Sequence, residues 1–140
     1  MTGGYTISTD KTKLDVTLIH QFLSQESYWA ANIPREIVER SIKGSLCFGV
    51  YLDGQQVGFA RVITDEATFA YLADVFILSE HRGKGLSKQL METISAWPTL
   101  QGLRRWILAT RDAHTLYEQF GFKVLDTPEI FMHKKLIETY

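Results

Sequence analysis

Two glycines flanked by basic residues are the first feature of this sequence that suggests chemistry. The run Arg82-Gly83-Lys84-Gly85 follows an apolar stretch and precedes a helical pattern. The first N–H groups of a helix have no partner inside the helix, and the helix dipole makes that end positive. Glycines let the backbone approach a ligand closely, so successive N–H groups can surround an anion. The run therefore predicts a binding loop for a phosphate or pyrophosphate.

Neither of two common phosphate-binding motifs fits this run. The nucleotide P-loop has four residues between its glycines, whereas only Lys84 separates Gly83 from Gly85. The dinucleotide fingerprint needs a third glycine three residues after the second, and that position is Lys88. The alternative interpretation of the run is a tight turn from strand to helix with solvated charges.

Asp74 is the carboxylate that most suggests a chemical role. It interrupts an otherwise apolar stretch from about residue 69 to residue 78, so its burial is expected. A buried carboxylate can act as a proton acceptor. The alternative is structural. If Thr64 pairs with Phe69 across a turn, Arg61 and Asp74 become diagonal neighbours and form an ion pair.

Cys47 is the only cysteine in the sequence. An internal disulfide is therefore excluded, and no cluster of Cys and His residues has the spacing of a zinc site. A cysteine within an alternating apolar run is ordinarily a small core residue. No metal ion is predicted.

The elements that must position these residues begin with helices and a hairpin. The spacing of apolar residues from Leu14 predicts a helix, and Pro34 opens a second short one. A period of two predicts a strand over 46–52, after which Asp53-Gly54 predicts a two-residue turn. A short strand is also predicted over residues 4–8, and an apolar strand over 69–78. The strand after the turn would have one face formed by Val57, Phe59, Arg61 and Ile63.

The second half of the chain alternates between helices and strands. A helix is predicted after the glycine run and ends at Pro98, and a buried strand is predicted from Arg105 to Ala109. A last helix ends at Gly121, where a left-handed residue is expected. The first of these helices carries the apolar stripe Leu86, Leu90, Ile94 and Trp97, and the second carries Ala113, Leu116, Tyr117 and Phe120.

Two closing strands complete the predicted order. They run from Phe122 to Leu125 and from Ile130 to Leu136. The whole order, α-α-β-β-β-α-β-α-β-β, predicts an α/β fold with a mixed sheet and helices on its faces. The absence of repeats and Pro/Gly linkers predicts a single domain over residues 1–140.

Composition argues against two classes of partner. Fifteen basic residues face sixteen acidic ones in 140 residues, so no nucleic-acid tail or membrane-surface patch is expected. No apolar run approaches membrane-spanning length, and the N-terminus does not have the pattern of a signal peptide. A soluble cytoplasmic protein is the expectation.

The run Arg82-Gly83-Lys84-Gly85-Leu86-Ser87 resembles the acetyl-CoA signature of the GNAT acyltransferases, Gln/Arg-x-x-Gly-x-Gly/Ala. The run from Thr110 to Tyr117, followed by Gly121-Phe122, resembles the family's Asn-x-x-Ala-x-x-Leu-Tyr and Gly-Phe elements. The order of helices and strands agrees over nearly the whole chain. The resemblance implies the GNAT fold, a central, mostly antiparallel twisted sheet with a splayed parallel strand pair and helices on both faces. It also implies transfer of an acetyl group from acetyl-CoA to an amine.

The chain departs from the family pattern at two positions. Ser87 replaces the usual Gly or Ala, but it is small and its hydroxyl can hydrogen-bond a phosphate. Thr110 replaces an Asn that commonly holds the amide arm of the cofactor in this family. The contact from residue 110 is therefore in question, whereas phosphate binding is expected to survive.

The resemblance also implies how acetyl-CoA is held. The backbone of Val75, Phe76 and Ile77 would pair with the pantetheine arm as a strand does, and Thr110 and Tyr117 would contact the same molecule. The amine would attack the thioester directly without an acyl-enzyme, so Cys47 is not needed. The pyrophosphate would be held by the N–H groups of Arg82, Gly83, Lys84, Gly85, Leu86 and Ser87.

The residues that transfer protons are harder to identify than those that hold acetyl-CoA. By its family position Tyr117 is the acid that protonates the leaving thiolate, although its place on an apolar helix face equally fits a core aromatic. Asp74 is the candidate base, and a chain of water molecules is an alternative. His114 is another candidate base, but it lies off the apolar stripe, where a solvated helix face is the ordinary interpretation.

The acceptor site is expected at the loop between the first two helices. Tyr28 and Trp29 are large aromatics there and could line a pocket for a small-molecule or peptide amine, or simply pack over the sheet. Rival interpretations are a non-catalytic acyl-CoA sensor, an enzyme for longer acyl-CoA and a generic phosphate-binding domain. A homodimer is possible through an exposed edge at Ile130 to Leu136.

Overall fold

The sheet is built on an antiparallel meander, and the computed structural model describes it within residues 2–140. Four strands, β1 (Tyr5–Ser8), β2 (Leu46–Leu52), β3 (Gln55–Thr64) and β4 (Phe69–Ile77), pair in chain order. A fifth, β5 (Arg105–Leu108), joins β4 in parallel at one end of the sheet. The predicted α/β fold, mostly antiparallel with one parallel strand pair, is confirmed.

Four helices connect and cover these strands: α1 (Val16–Gln25), α2 (Arg35–Lys43), α3 (Leu86–Ser95) and α4 (His114–Glu118). The carboxylate of Asp15 caps α1 by accepting a hydrogen bond from the N–H of Leu18 at 3.1 Å. Pro34 stands at the N-cap of α2, one position before the first turn in which it was expected. Gly121 follows α4 with φ of +90°, as a left-handed helix terminator requires.

Two apolar clusters lie on opposite faces of the sheet, because neighbouring strand residues point to opposite sides. One contains Cys47, Phe59 and Phe76 and packs under α1 and α2. The other contains their immediate neighbours Phe48, Ala60 and Ile77 and packs against α3 and α4. Both clusters rest on the same sheet. The single domain over residues 1–140 stays a prediction.

The hairpin between β2 and β3 has the predicted turn, but one residue of β3 faces the opposite side of the sheet from the one predicted. Asp53 and Gly54 have φ of +52° and +81°, the positive values that a two-residue hairpin of this kind needs. A register shift follows, from Val50 opposite Gly58 to Tyr51 opposite Gln56. Val57 is the extra residue in this bulge and packs in the cluster opposite that of Phe59. The prediction that both belong to one face was therefore wrong.

The predicted closing strands are absent from the described residues. Both Phe122 to Leu125 and Ile130 to Leu136 are irregular apart from a short 3-10 turn at Pro128–Ile130. Within the described chain, the hydrogen bonds of residues 123–140 join only residues of that same segment. β5 consequently ends the sheet, and it is half-buried rather than fully buried as predicted.

No helix within residues 2–140 is long and apolar enough to cross a membrane. In the same part of the chain, no group of three or more His, Cys, Asp or Glu side chains is placed to hold a metal ion.

Candidate functional site

A cleft opens where β4 and β5 diverge. The two strands pair only from Phe69 opposite Arg105 to Leu72 opposite Leu108, after which β4 continues to Ile77 alongside β3 alone. Backbone groups on the free side of β4 beyond Leu72 thus face open space. A cavity of about 350 Å³ occupies the divergence, and its lining includes Tyr28, Trp29, Asp74, Val75, Thr110 and Tyr117. The cleft brings together candidate residues from four separate parts of the sequence.

A bulge in β4 creates this divergence. The register with β3 moves from Arg61 opposite Ala73 to Phe59 opposite Phe76, which leaves more residues on β4 than on β3. Asp74 lies in this interval with φ of +55°, a left-handed conformation that Asp tolerates better than most residues. Bulges bend a strand and redirect its side chains. Here the bulge places the Asp74 carboxylate at the wall of the cleft.

Both oxygens of the Asp74 carboxylate are engaged. Arg61 donates from Nε to one oxygen at 2.8 Å, and the indole N–H of Trp29 donates to the other at 2.9 Å. The same guanidinium donates from Nη1 to the hydroxyl of Ser45 at 3.0 Å. The side chains of Arg61 and Asp74 are only 16% and 9% exposed. The ion pair that the sequence left open is therefore present, and it ties Trp29 to the bulge.

Removing the charge of this pair should destabilise the protein. The variant Asp74→Asn keeps the shape and an acceptor for Trp29 but leaves the buried Arg61 guanidinium without its counter-charge. We expect the free energy of unfolding in urea to fall by about 1–3 kcal/mol. The control is Glu39→Gln, which removes an exposed ion pair with Arg35 and should change stability by less than about 0.5 kcal/mol. Equal stability of the Asp74 variant and wild type would show that the pair contributes nothing.

The loop between α1 and α2 is held over the cleft by a second contact. The hydroxyl of Tyr28 accepts a hydrogen bond from the backbone N–H of Arg111 at 3.0 Å. The guanidinium of Arg111 lies 3.7 Å from the centre of the Tyr28 ring, a cation–π distance. Tyr28 also meets Trp29 edge to face, with ring centres 5.0 Å apart. The aromatic pair predicted for the acceptor site therefore bridges both walls of the cleft.

Arg111 is a site residue that the sequence reasoning missed. It occupies a variable position of the motif that begins at Thr110, and its contact with Tyr28 joins residues 83 positions apart. No local pattern connects two such residues. The only available signal was that an arginine follows β5 at the end of the sheet where an aromatic pair was expected.

Tyr117 presents its ring to the same cleft from α4. It is 8% exposed and packs edge-on against Phe122, with ring centres 6.0 Å apart. Burial, together with the nearby Tyr28 and Asp112, raises the pKa of Tyr117 to about 12. Within the described residues its hydroxyl has no hydrogen-bond partner, although it borders the cavity. A neutral phenol at this position is available to a ligand.

The hydroxyl of Thr110 is partly occupied by hydrogen bonds within the chain. Its hydroxyl accepts backbone hydrogen bonds from Asp112 at 3.4 Å and from Ala113 at 3.2 Å, so it shapes the turn into α4. The residue also lines the cleft. His114, at the first position of α4, is exposed and lines a neighbouring cavity instead.

The glycine run lies beyond the carboxyl end of β4 and does not line the cleft. Gly83 and Gly85 have φ of +77° and +76°, and a Cβ added at either would meet no atom within 4 Å. Gly85 is the N-cap of α3, whose ten residues begin at Leu86. The first N–H groups of α3 therefore open onto free space, the geometry that an anion requires.

The two basic residues of the run differ in what they contact. Arg82 donates from Nε to the carbonyl of Ile77 at 2.9 Å, which fastens the loop to the end of β4. Lys84 is exposed, and its Nζ lies 5.9 Å from the centre of the Tyr5 ring. Ser87 follows in the first turn of α3. Both residues directly precede α3 in the chain, and Arg82 has a structural contact with Ile77 that the sequence did not predict.

Cys47 is unsuited to covalent chemistry. It is 1% exposed, and its thiol faces the carbonyls of Ile42 and Ser45 at 3.7 and 3.8 Å. Burial raises the pKa of the Cys47 thiol to about 11, so the thiol stays protonated near neutral pH.

Three comparisons place the chain among known proteins. The family model described as "Acetyltransferase (GNAT) domain" matches residues 43–124. A curated protein of Gibberella zeae, named a "putative acetyltransferase", is 33% identical and covers 86% of this chain and 80% of its own. A crystal structure from Xanthomonas campestris pv. campestris, described as a "putative acetyltransferase belonging to the gnat family", is 55% identical. It has a TM-score of 0.92 and covers 94% of this chain and 93% of its own.

A more distant structure agrees in fold alone. The GNAT family acetyltransferase of Elizabethkingia anophelis, solved with acetyl-CoA bound, is 15% identical with a TM-score of 0.64. It covers 89% of this chain and 79% of its own.

Proposed function

The chain belongs to the GNAT acetyltransferase family, and we propose that it transfers the acetyl group of acetyl-CoA to the amine of a small molecule or peptide. The observation that carries this proposal is the cleft between β4 and β5. In it the Tyr117 hydroxyl, the free edge of β4 and the Tyr28–Trp29 pair meet around one space of about 350 Å³. Acetyl-CoA would supply an activated acyl group to that space.

The chain offers acetyl-CoA two kinds of backbone site. Phe76 and Ile77 lie opposite Phe59 and Gly58 of β3, and Val75 lies in the bulge. The side of this stretch that faces away from β3 is proposed to hold the pantetheine amides as a neighbouring strand would. The loop N–H groups from Arg82 to Ser87 would hold the pyrophosphate, and the space around Gly83 and Gly85 leaves room for it. Thr110 and Tyr117, at the far wall, are proposed to contact the same molecule.

The reaction is direct attack. A new C–N bond forms between the acceptor amine and the acetyl carbon as the C–S bond breaks, and the sulfur leaves as a thiolate. Tyr117 is proposed to give its phenolic proton to that sulfur, since its raised pKa of about 12 keeps it protonated until then. A backbone N–H of the bulged strand is proposed to polarise the carbonyl. The buried thiol of Cys47 supports a route without an acyl-enzyme.

The proton of the ammonium substrate needs an acceptor, for which the sequence left Asp74, a water chain and His114, and His114 does not line the cleft. Asp74 borders the cleft, but Arg61 and Trp29 occupy both its oxygens. The geometry favours a water chain as the base, with Asp74 holding Trp29 over the acceptor. Direct proton acceptance by Asp74 would require its hydrogen bond with Trp29 to break.

The test is a calorimetric titration followed by a turnover assay. Acetyl-CoA should bind while ATP and NAD do not, and a panel of small amines and peptides should then release free CoA thiol from acetyl-CoA. Binding without turnover on any amine would favour the non-catalytic sensor on the same fold. Equal binding of ATP would favour a generic phosphate site, and stronger binding of longer acyl-CoA would favour a different acyl group.

The acceptor class and the location remain predictions. The near balance of basic and acidic residues offers no docking surface for a charged protein, which favours a small-molecule amine over a peptide. A cytoplasmic location is expected from the sequence features given above.

A further inference from the structure

The charges on the lining of the cleft are not balanced in pairs. Among the described residues, this lining has a single cation, Arg111, and two carboxylates, Asp74 and Asp112. The charge of Asp74 is matched by the buried Arg61, which donates to it at 2.8 Å. Arg111 forms no ion pair with any described residue. One wall of the cleft therefore carries a positive charge that the chain itself does not neutralise.

The Tyr28 ring holds the Arg111 guanidinium in place before any ligand binds. The carbon of the guanidinium lies 3.7 Å from the centre of that ring. A guanidinium this close lies flat on the ring, because an N–H pointing at the ring would keep the carbon farther away. Stacking uses the face of the group and leaves the N–H donors along its edge available. Such an edge matches two oxygens of a carboxylate or a phosphate.

Asp112 places a negative charge on the side of the proposed acid. Its carboxylate is one of the causes that raise the pKa of Tyr117, so its field reaches that phenol. Asp112 is exposed and, like Arg111, forms no ion pair within the described chain. An ammonium group is attracted to this side of the cleft, whereas an anion is attracted to Arg111. A molecule with both charges would therefore enter with its amine toward Tyr117.

We propose that the acceptor is a small amine that carries a carboxylate or a phosphate, and that Arg111 binds this anionic group. The inference rests on the proposed function, since it names the class of acceptor for the same cleft. The volume of about 350 Å³ supports a small molecule, because the acyl end of acetyl-CoA must share that space. A polycationic amine is disfavoured, because it would be repelled by the free guanidinium.

The test compares anionic amines with neutral partners of the same shape. Amino acids whose amine is α, β or γ to the carboxylate are paired with their carboxamides, and O-phosphoethanolamine is paired with ethanolamine. Calorimetry gives the dissociation constants with and without CoA, and release of CoA thiol gives kcat/KM. In wild type, the anionic member of at least one pair should bind about tenfold more tightly or better, the gain from charge-assisted hydrogen bonds.

Three variants assign this preference to Arg111. An amide also lowers the pKa of the neighbouring amine, so the anion-to-neutral ratio is compared between variants and not used alone. Arg111→Gln should bring the ratio close to one. Tyr28→Phe removes the hydroxyl that accepts the Arg111 backbone N–H but keeps the ring, so the ratio should persist. If Arg111 only anchored Tyr28, its replacement would weaken both members of a pair equally.

Arg105→Gln is the matched control. Arg105 is also exposed, and its guanidinium lies 4.9 Å from the centre of the Phe131 ring, but it does not line the cleft. Its removal should leave the ratio of wild type unchanged. An equal change in the Arg105 and Arg111 variants would overturn the proposal, because the preference would then come from the net charge of the protein.

Failure of this inference differs from failure of the proposed function. If no amine is acetylated but the anionic amines bind with a preference that depends on Arg111, acetyl transfer is wrong and the anion site stands. If anionic and neutral amines are acetylated equally well, the transfer stands and the role of Arg111 is overturned. Equal or undetectable binding of both members of every pair, or a wild-type ratio in Arg111→Gln, overturns the inference whatever the turnover.

Discussion

Replacing Tyr117 by Phe should lower kcat for acetyl transfer by about 100- to 10,000-fold, the usual contribution of a general acid. The substitution removes one hydroxyl from a ring that is 8% exposed and packs against Phe122, so the fold should be preserved. The measurement is steady-state release of CoA thiol, with acetyl-CoA affinity followed by calorimetry. The dissociation constant for acetyl-CoA should change little, because the phenolic proton that the variant lacks is needed only when the sulfur leaves.

The chain contains a matched control for this loss. Tyr51 is also buried, burial likewise raises its pKa to about 12, and within the described residues its hydroxyl has no partner. It lies on β2 and does not line the cleft, so Tyr51→Phe should leave kcat unchanged. If Tyr117→Phe turns over as fast as Tyr51→Phe, then Tyr117 is only a core aromatic.

The pH profile follows from the same group. An acid must be protonated to act, so the contribution of Tyr117 persists below its pKa of about 12 and disappears only as the pH rises through that value. The kcat of wild type should therefore show no loss from this residue between neutral pH and the ordinary tyrosine pKa of about 10. A decline centred near 10 would indicate that the acid is an unperturbed phenol elsewhere.

The variant Gly85→Glu should weaken acetyl-CoA binding by more than about a hundredfold, since like charges at an interface cost several kcal/mol. Gly85 has φ of +76°, and its backbone stands where α3 presents its free N–H groups. A side chain there enters the open space, and a carboxylate there repels the pyrophosphate. Calorimetric titration of acetyl-CoA measures the loss.

A variant at Gly102 distinguishes the loss of acetyl-CoA affinity caused by the carboxylate from a loss caused by backbone strain. It also has φ of +76°, and a Cβ added there would likewise meet no atom within 4 Å, but it precedes β5 away from the loop. Gly102→Glu therefore imposes the same conformational cost and should leave binding unchanged. Equal loss of affinity in both variants would mean that Gly85 acts through stability, and unchanged binding in both would remove the loop from the proposed site.

Local patterns predicted the parts of the fold that depend on local geometry. The alternation over residues 46–52 and the Asp53-Gly54 turn indicated the first hairpin, because the pleat and the positive φ values are properties of neighbouring residues. The glycine run was placed correctly between β4 and α3 for the same reason. The ion pair of Arg61 and Asp74 was foreseen from a register that is one residue off, since Thr64 lies opposite Ala70 and not Phe69. The bulge at Asp74 is what brings its carboxylate to Arg61.

Features that depend on distant contacts could not be predicted in the same way. A bulge moves Val57 to the other face, yet its signal is a register that only the paired strands determine. The stacking of Arg111 on Tyr28 joins two loops with no shared pattern. The alternating run at residues 130–136 predicted a strand that the described chain does not contain, because alternation does not specify an edge with which the run could pair.

The two side-chain links of the Tyr28–Trp29 pair have a consequence for how this protein can diversify. The loop is joined to the cleft by an indole on Asp74 and a phenol on the N–H of Arg111. The loop also contributes Ser27, Ala30 and Ile33 to the buried part of the protein. Only its exposed residues, among them Glu26 and Ala31, can therefore change without disturbing the packing over the sheet. Under the proposed function, a new acceptor would be gained through those exposed positions while the indole and the phenol stay in place.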